Sequence, residues 1–149
     1  MSNLLLIETI AGQRVAFPAA AVESVVELDT LIPVPRAVAH VAGLSALRSR
    51  VLTVIDCRRS LELDPVVALP GAIIEAAVVE LDGHHYALIV DSVEDVIAAL
   101  SDPQPVRASM GAGWERVSMG LVETDDGALL QLDVAAIVAG PPADARVAA

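Results

Sequence analysis

The chain has 149 residues, enough for one domain with a sizeable core. Nine basic residues against 20 acidic ones give a net charge of −11, so the chain repels phosphate backbones and anionic lipid surfaces. We therefore expect no nucleic-acid partner. Hydrophobic residues make up 55% of the sequence but aromatic ones only 2%, so Val, Leu, Ile and Ala must fill the core, and Val-rich and Ile-rich runs favour strands.

Three features bear on the compartment and on membrane insertion. A single cysteine, Cys57, allows no internal disulfide, which fits a reducing environment. Residues 1–4 lack the basic region and cleavage site of a secretion signal. Uncharged stretches such as 65–74 are only about ten residues long, too short for a membrane-spanning helix. We expect a cytoplasmic protein without a membrane-inserted segment.

The first half of the chain is predicted to contain two hairpins, a short strand between them and a helix. The strands are expected at 4–10, 14–17, 24–28, 41–47 and 50–55, with a helical turn at 19–22 and a helix at 57–62. Gly12 supplies the first turn, and Asp56 stands where it can cap the helix.

After a predicted linker at 65–71, the second half has the same order of elements. Strands are expected at 72–81, 84–90, 92–98, 117–124 and 128–132, with a loop at 101–113 and a helix at 134–138. Residues 92–98 fit a strand or a helix, and we favour a strand. Asp82-Gly83 is a strong turn dipeptide, and Asp133 can cap the last helix.

An internal repeat relates the two halves. A shift of 71 residues places Gly12 on Gly83, and a shift of 77 places Asp56 on Asp133. The same shifts align the pairs Ala16 and Ala87, Val22 and Val93, Glu23 and Glu94, Val25 and Val96, Gly43 and Gly120, Leu44 and Leu121, and Leu52 and Leu129. Each half, with about 65 residues and five strands, is the size of a small barrel, and barrels remove exposed sheet edges.

The predicted fold class is therefore all-β, with two five-stranded barrels and short helices. We expect one domain at 1–142, with subdomains at approximately 1–64 and 70–140 between which strands can be exchanged. The Ala-rich residues 143–149 are expected to form a disordered tail.

No catalytic or metal-binding pattern is recognisable in the sequence. A small hydrolase would need Cys57 with His84 or His85, but no motif accompanies them, and Cys57 fits a small core residue at a helix start. His84 and His85 lie near Glu80 and Asp82, yet neighbours on a strand point to opposite faces and cannot easily share one ion. We predict no enzymatic activity, no cofactor and no metal.

Residues 40–61 read His-Val-Ala-Gly-Leu-Ser-Ala-Leu-Arg-Ser-Arg-Val-Leu-Thr-Val-Ile-Asp-Cys-Arg-Arg-Ser-Leu. They resemble the signature of the CheW-like domain family, in which a Gly-hydrophobic stretch leads to an Asn-Leu-Arg-Gly turn and a strand ending in Ile-Asp-Leu-Arg. The resemblance continues through Val-Asp-Ser-Val-Glu-Asp-Val at 90–96 and Leu-Gln-Leu-Asp near the end. It implies two SH3-like five-stranded barrels.

The resemblance also implies a function. Members of the family are non-enzymatic adaptors that couple chemoreceptors to a CheA-type histidine kinase in chemotaxis signal transduction. The implied partners are the regulatory domain of the kinase and the cytoplasmic hairpin tip of a chemoreceptor. A CheW-like adaptor in a non-motility chemosensory pathway is the alternative.

The resemblance assigns eight partner-binding residues to this sequence. Val25 and Glu27 match positions beside the family's receptor groove, and Arg48 matches the arginine of the Asn-Leu-Arg-Gly turn. The other assigned residues are Leu44, Leu47 and Val51, which surround Arg48, and Val93 and Val96, which match the second barrel's side of the groove through the repeat.

Two other interpretations concern these positions. Without the resemblance, Val25, Leu44, Val93 and Val96 fit core residues, and Arg48 fits a solvated turn. In addition, Ala46 and Ser49 stand where the family turn has Asn and Gly. Ala46 lacks the side-chain hydrogen bond that asparagine offers, and Ser49 adopts a positive φ angle less readily than glycine does.

Overall fold

The structure, a computed structural model, describes residues 3–63 and 73–142. These segments form ten strands, three α-helices and one turn of 3-10 helix, Ala19–Ala21. The strands are β1 (Leu4–Ile10), β2 (Gln13–Pro18), β3 (Ser24–Leu28), β4 (Val41–Leu47), β5 (Arg50–Asp56), β6 (Ile74–Leu81), β7 (His84–Ile89), β8 (Ser92–Ala98), β9 (Ser118–Thr124) and β10 (Gly127–Leu132). The helices are α1 (Cys57–Ser60), α2 (Ala112–Val117) and α3 (Val134–Ala139).

The strands form two curled five-stranded sheets. Sheet A has the order β8-β1-β2-β10-β9, and sheet B has the order β3-β6-β7-β5-β4. If five is added to each strand number of sheet A, and the count returns to β1 after β10, the result is the strand order of sheet B. The two sheets therefore have the same topology, as the internal repeat predicts. Each sheet takes two strands from one half of the chain and three from the other. The all-β class with two five-stranded, SH3-like units is confirmed.

Some predicted boundaries lie outside the described residues. The linker at 65–71 and the tail at 143–149 are among these. The subdomain limits at 1–64 and 70–140 therefore stay a prediction. The sheets themselves do not follow such a division, because the hairpin β1–β2 pairs with strands of the second half and the hairpin β6–β7 with strands of the first.

Three clusters of buried residues hold the fold together. Sheet A surrounds Leu5, Ile7, Ala16, Val122 and Leu129. Sheet B surrounds Leu28, Leu52, Val54, Ala76, Val78, Ala87 and Ile89. The third cluster lies between the sheets and includes Phe17 of β2, Ile55 of β5, Cys57 of α1 and Ile137 of α3. Each sheet therefore encloses its own apolar core, and a shared core joins the two barrels.

Two aspartates cap helices as predicted. Asp56 accepts hydrogen bonds from the backbone amides of Arg58 and Arg59, at 3.0 and 3.3 Å. Its repeat equivalent, Asp133, accepts two amide hydrogen bonds at the start of α3, at 3.0 and 3.4 Å. Helix α1 ends at Ser60 and is two residues shorter than the predicted helix at 57–62. The capping residues were thus more predictable than the helix length.

Helix α2 contradicts the predicted loop at 101–113 and the predicted strand start at 117. Residues 112–117 are helical, and β9 begins at Ser118. A six-residue helix that contains Gly113 and has no side-chain N-cap gives a weak sequence signal. Gly113 lies against the backbone of Leu61, where a Cβ atom would overlap the carbonyl group, so tertiary packing determines this helix. Among the described residues, no helix is long and apolar enough to cross a membrane.

Three hairpin turns share one conformation, with positive φ at both central residues as in a type I′ turn. The φ angles are 52° and 79° at Ala11 and Gly12, 51° and 81° at Asp82 and Gly83, and 50° and 66° at Arg48 and Ser49. The second residue is glycine in two of these turns but serine in the β4–β5 turn. A side chain at positive φ costs about 1–2 kcal/mol, so the β4–β5 turn carries the larger strain.

We expect Ser49→Gly to raise the free energy of unfolding by about 1 kcal/mol, because glycine adopts positive φ without a Cβ overlap. Chemical denaturation measures the change. The matched control is Gly12→Ser, which places serine in the equivalent position of the β1–β2 turn, where a Cβ meets no atom within 4 Å. This control should lose a similar amount. Unchanged stability in both variants would show that the turns are not strained.

Candidate partner-binding site

The edge strands β3 and β8 are repeat equivalents, and each has one outward-facing valine. Val26 and Ile97 pack against the cores of their own barrels. Because side chains alternate along a strand, Val25 and Val96 face the opposite side. They are 43% and 46% exposed. The interpretation of these two residues as core residues is therefore wrong.

The two edge strands approach each other at Glu75 of β6. Glu75 is the cross-strand neighbour of Glu27 in sheet B. One of its carboxylate oxygens accepts a hydrogen bond from the backbone amide of Val93, at 3.2 Å. Val93 belongs to β8 of sheet A, so this contact connects the two sheets. Val93 itself is half-buried and packs against the shared core, as its repeat equivalent Val22 does.

The β4–β5 hairpin carries four of the predicted residues. Arg48 is exposed in the turn, and Val51 is 64% exposed at the start of β5. Leu44 and Leu47 of β4 are half-buried. Leu47 packs against the core of sheet B, so it has a structural role as well. The structure thus brings these four residues together on one hairpin.

An ion pair connects this hairpin to the edge strand β3. Arg50 donates to a carboxylate oxygen of Glu23 at 3.0 Å, and Glu23 directly precedes β3. Arg50 belongs to β5, which β6 and β7 separate from β3 in the order of sheet B, so the contact shows that the sheet curls. Both side chains are about half exposed, and the pair therefore contributes little to stability. Its significance is that it connects the β4–β5 hairpin, which carries Arg48, to the segment that leads into Val25.

We define the candidate partner surface as Val25, Glu27, Arg48, Val51, Glu75 and Val96. Glu75 and the positioning residues Glu23 and Arg50 were not predicted from the sequence, because their proximity depends on the curl of the sheet. Ile32 was not predicted either; it is 61% exposed and forms two backbone hydrogen bonds of 2.8 Å with Leu44 at the edge of β4. A recognisable signal was present there, since an apolar stretch interrupted by prolines cannot lie inside a sheet.

Cys57 has the environment of a core residue. It is fully buried in the shared core. Burial raises the pKa of its thiol well above the usual value, and the nearby carboxylates of Glu8, Asp56 and Asp91 raise it further. A thiol that stays protonated is a poor nucleophile. These observations support the structural interpretation of Cys57 over the hydrolase hypothesis.

The family comparison covers both barrels. The CheW-like domain matches residues 4–141. This chain belongs to the CheW-like domain family. Among solved structures it is similar to the scaffolding protein TtCheW from Thermoanaerobacter tengcongensis, with 20% identity over 89% of this chain and 90% of that chain and a TM-score of 0.74. That similarity supports the fold. A search of the curated proteins finds no match.

In this CheW-like domain, residues 46–49 form the turn that resembles the family's Asn-Leu-Arg-Gly motif. Ala46 lies in β4 with its side chain exposed, opposite Val51. Arg48 and Ser49 occupy the two positions with positive φ. The backbone shape of a tight turn is therefore retained without the asparagine and glycine. The departure from the motif changes the side chains at the turn and its backbone strain.

Proposed function

We propose that this CheW-like domain is a non-enzymatic adaptor that couples a chemoreceptor to a CheA-type histidine kinase in chemotaxis signal transduction. The observation that carries the proposal is the candidate partner surface, where Val25 and Val96 are exposed on two equivalent edge strands, and Glu75, which pairs with β3, contacts the backbone of β8. Exposed aliphatic patches mark protein contacts in soluble proteins. The similar protein TtCheW is a scaffolding protein, which agrees with this role.

The edge strands suit the helical hairpin tip of a receptor. A helix binds in a groove by placing its apolar side chains against aliphatic residues, here Val25 and Val96. The acidic residues Glu27 and Glu75 are cross-strand neighbours on β3 and β6, and Glu75 contacts the backbone of β8. A receptor helix with one apolar face and a basic residue beside it would match both properties. The acidic pair would then set the orientation of the helix more than its affinity.

The β4–β5 hairpin offers a second contact area for the kinase regulatory domain. Val51 and Ile32 are 64% and 61% exposed, and Arg48 is exposed between the two strands. Arginine beside exposed aliphatic residues is a composition common in protein interfaces. Two contact areas allow one adaptor to hold both partners at once. Both partners act in the cytoplasm, so we propose the same location for this protein.

We expect Arg48→Ala and Glu27→Lys each to weaken partner binding at least about tenfold, which corresponds to about 1.4 kcal/mol. Thermal unfolding should stay nearly unchanged, because both side chains are exposed. In Glu27→Lys, the new cation faces Glu75 and removes a like-charge pair across the strands. Calorimetric titration with the kinase regulatory domain and with a receptor hairpin tip measures the affinities.

The matched control is Arg107→Ala, which removes an exposed arginine from the segment between β8 and α2. It changes the net charge as Arg48→Ala does and should leave both affinities unchanged. Equal loss in the control would mean that charge alone matters. Failure of the parent chain to bind any CheA-type kinase of its organism would contradict the proposed function itself.

A further inference from the structure

Two glutamates and a histidine meet at one end of the β6–β7 hairpin. His85 of β7 lies directly opposite Glu80 of β6, and Glu23 approaches from the start of β3. The His85 Nε2 atom is 3.1 Å from a carboxylate oxygen of Glu23 and 3.4 Å from one of Glu80. The three donor atoms all lie within 4.8 Å of one another. Three side chains that commonly bind metals therefore converge.

We propose that Glu23, Glu80 and His85 bind a divalent transition-metal ion of the Zn²⁺ class. Zinc binds imidazole nitrogen and carboxylate oxygen at about 2.0–2.2 Å, so two donors of one tetrahedral ion are about 3.3–3.6 Å apart. The observed separations from His85 Nε2, 3.1 and 3.4 Å, are close to this spacing. Imidazole favours zinc and its neighbours over calcium or magnesium, which prefer oxygen ligands.

At the equivalent position in sheet A, a cationic side chain of the protein lies between two carboxylates. The shift of 71 residues places Arg14 on His85 and Glu94 on Glu23. The Arg14 guanidinium contacts carboxylate oxygens of Glu94 at 2.8 Å and of Asp126 at 3.3 Å. Both barrels thus place two carboxylates around one basic side chain. In sheet B that side chain is an imidazole, which is neutral when it ligates a metal and leaves the positive charge to the ion.

A hydrogen bond from His85 explains the cluster less completely than a metal ion does. The Nε2 atom carries one hydrogen, which can be directed well at only one of the two carboxylates. A metal ion would bind all three donors at once. Arg50 holds the other oxygen of Glu23 at 3.0 Å, so it orients this side chain without occupying the donor oxygen. Three protein ligands leave a fourth position for water.

Metal binding would rigidify part of the candidate partner surface. Glu23 directly precedes the strand that carries Val25, and its contact with Arg50 reaches the β4–β5 turn. The site itself does not depend on the proposed partners, since every ligand belongs to this chain. A failure of kinase binding would therefore leave the metal proposal intact, and the reverse also holds.

The test is a calorimetric titration of the full chain, without a polyhistidine tag, with ZnCl₂. We expect one saturable site. At Zn²⁺ about 100-fold above its Kd, the thermal unfolding midpoint should rise by about 5 °C or more. His85→Ala and Glu23→Gln should each weaken Zn²⁺ binding at least about tenfold. The matched control His84→Ala removes the neighbouring exposed imidazole and should keep the affinity of the parent chain.

Three results would overturn the proposal: no saturable binding to the parent chain, full affinity in His85→Ala, or equal loss in His84→Ala. Unfolding without metal shows whether each variant is folded. If His85→Ala does not fold, Glu80→Gln replaces it, because an amide of the same shape keeps the exposed strand residue while weakening the ligand. Retained affinity in Glu80→Gln and Glu23→Gln together would equally overturn the site.

Discussion

Replacing Glu8 with glutamine is expected to raise the free energy of unfolding by about 3 kcal/mol at pH 7. Glu8 is fully buried on β1, and neither carboxylate oxygen has a hydrogen-bond partner among residues 3–63 and 73–142. Burial raises the pKa of Glu8 from 4.5 to about 9; the backbone amide of Phe17, which is near the carboxylate but makes no hydrogen bond of standard geometry with it, offsets only part of this effect. The folded chain therefore keeps Glu8 protonated at neutral pH, whereas the unfolded chain releases the proton.

The sign of the pH dependence follows from this difference. Below pH 4.5 the Glu8 carboxyl is protonated in both the folded and the unfolded chain, so its ionisation lowers the free energy of unfolding little. Between pH 4.5 and about 9 only the unfolded chain gains from losing the proton, so stability falls as the pH rises. The slope is about 1.4 kcal/mol per pH unit for one group. Glutamine does not titrate, and the advantage of Glu8→Gln should therefore grow with pH.

Urea denaturation between about pH 5 and about pH 8 tests this expectation. The control is Glu123→Gln, which changes an exposed glutamate of β9 and should alter stability little at any pH. A difference between Glu8→Gln and the parent that stays constant with pH would show that Glu8 is ionised in the folded chain. A less stable Glu8→Gln at pH 7 would show that the carboxylate has a stabilising partner.

Gly120→Ala is expected to lower the free energy of unfolding by at least about 3 kcal/mol. The φ angle of Gly120 is 116°, and a Cβ there would lie 2.5 Å from the carbonyl oxygen of Gln104. The segment at Gln104 would have to move away from β9. This movement would break two backbone hydrogen bonds of 2.8 Å between Gln104 and Leu121, in addition to the backbone strain at residue 120.

Gly127→Ala is the control, because it introduces the backbone strain of a positive φ angle without a steric overlap of the new Cβ atom. The φ angle of Gly127 is 99°, but a Cβ there meets no atom within 4 Å. This control should lose only about 1–2 kcal/mol. Chemical denaturation of both variants measures the difference. Equal losses would show that the contact with Gln104 does not limit stability.

The repeat makes the same expectation for Gly43. A Cβ on Gly43 would overlap the carbonyl group of Ile32, which pairs with Leu44 as Gln104 pairs with Leu121. The sequence showed that Gly43 and Gly120 are equivalent. It did not show the reason, which is that a preceding segment crosses back over each glycine. Only the structure shows this reason, through the isolated β-bridges of Ile32 with Leu44 and of Gln104 with Leu121.

Local sequence was sufficient to predict the hairpins and the capping aspartates, whereas without the family resemblance it favoured core positions for the edge valines Val25 and Val96. Turn dipeptides such as Asp82-Gly83, caps such as Asp56 and alternation of side chains all act over a few residues. The resemblance of residues 40–61 added the family, which the match over residues 4–141 confirmed. Neither source located Glu75 or Glu23, because no motif contains them.

Tertiary contacts were needed for the arrangement of the sheets and for both proposed sites. Strands of the two halves are interleaved, and nothing local distinguishes β6 as the neighbour of β3 from any other partner of similar pattern. The meeting of Glu23 with His85, and of Glu75 with Val93, depends on that pairing and on the curl of sheet B. Residues far apart in the chain become neighbours through long-range strand pairing, which a short sequence pattern does not encode.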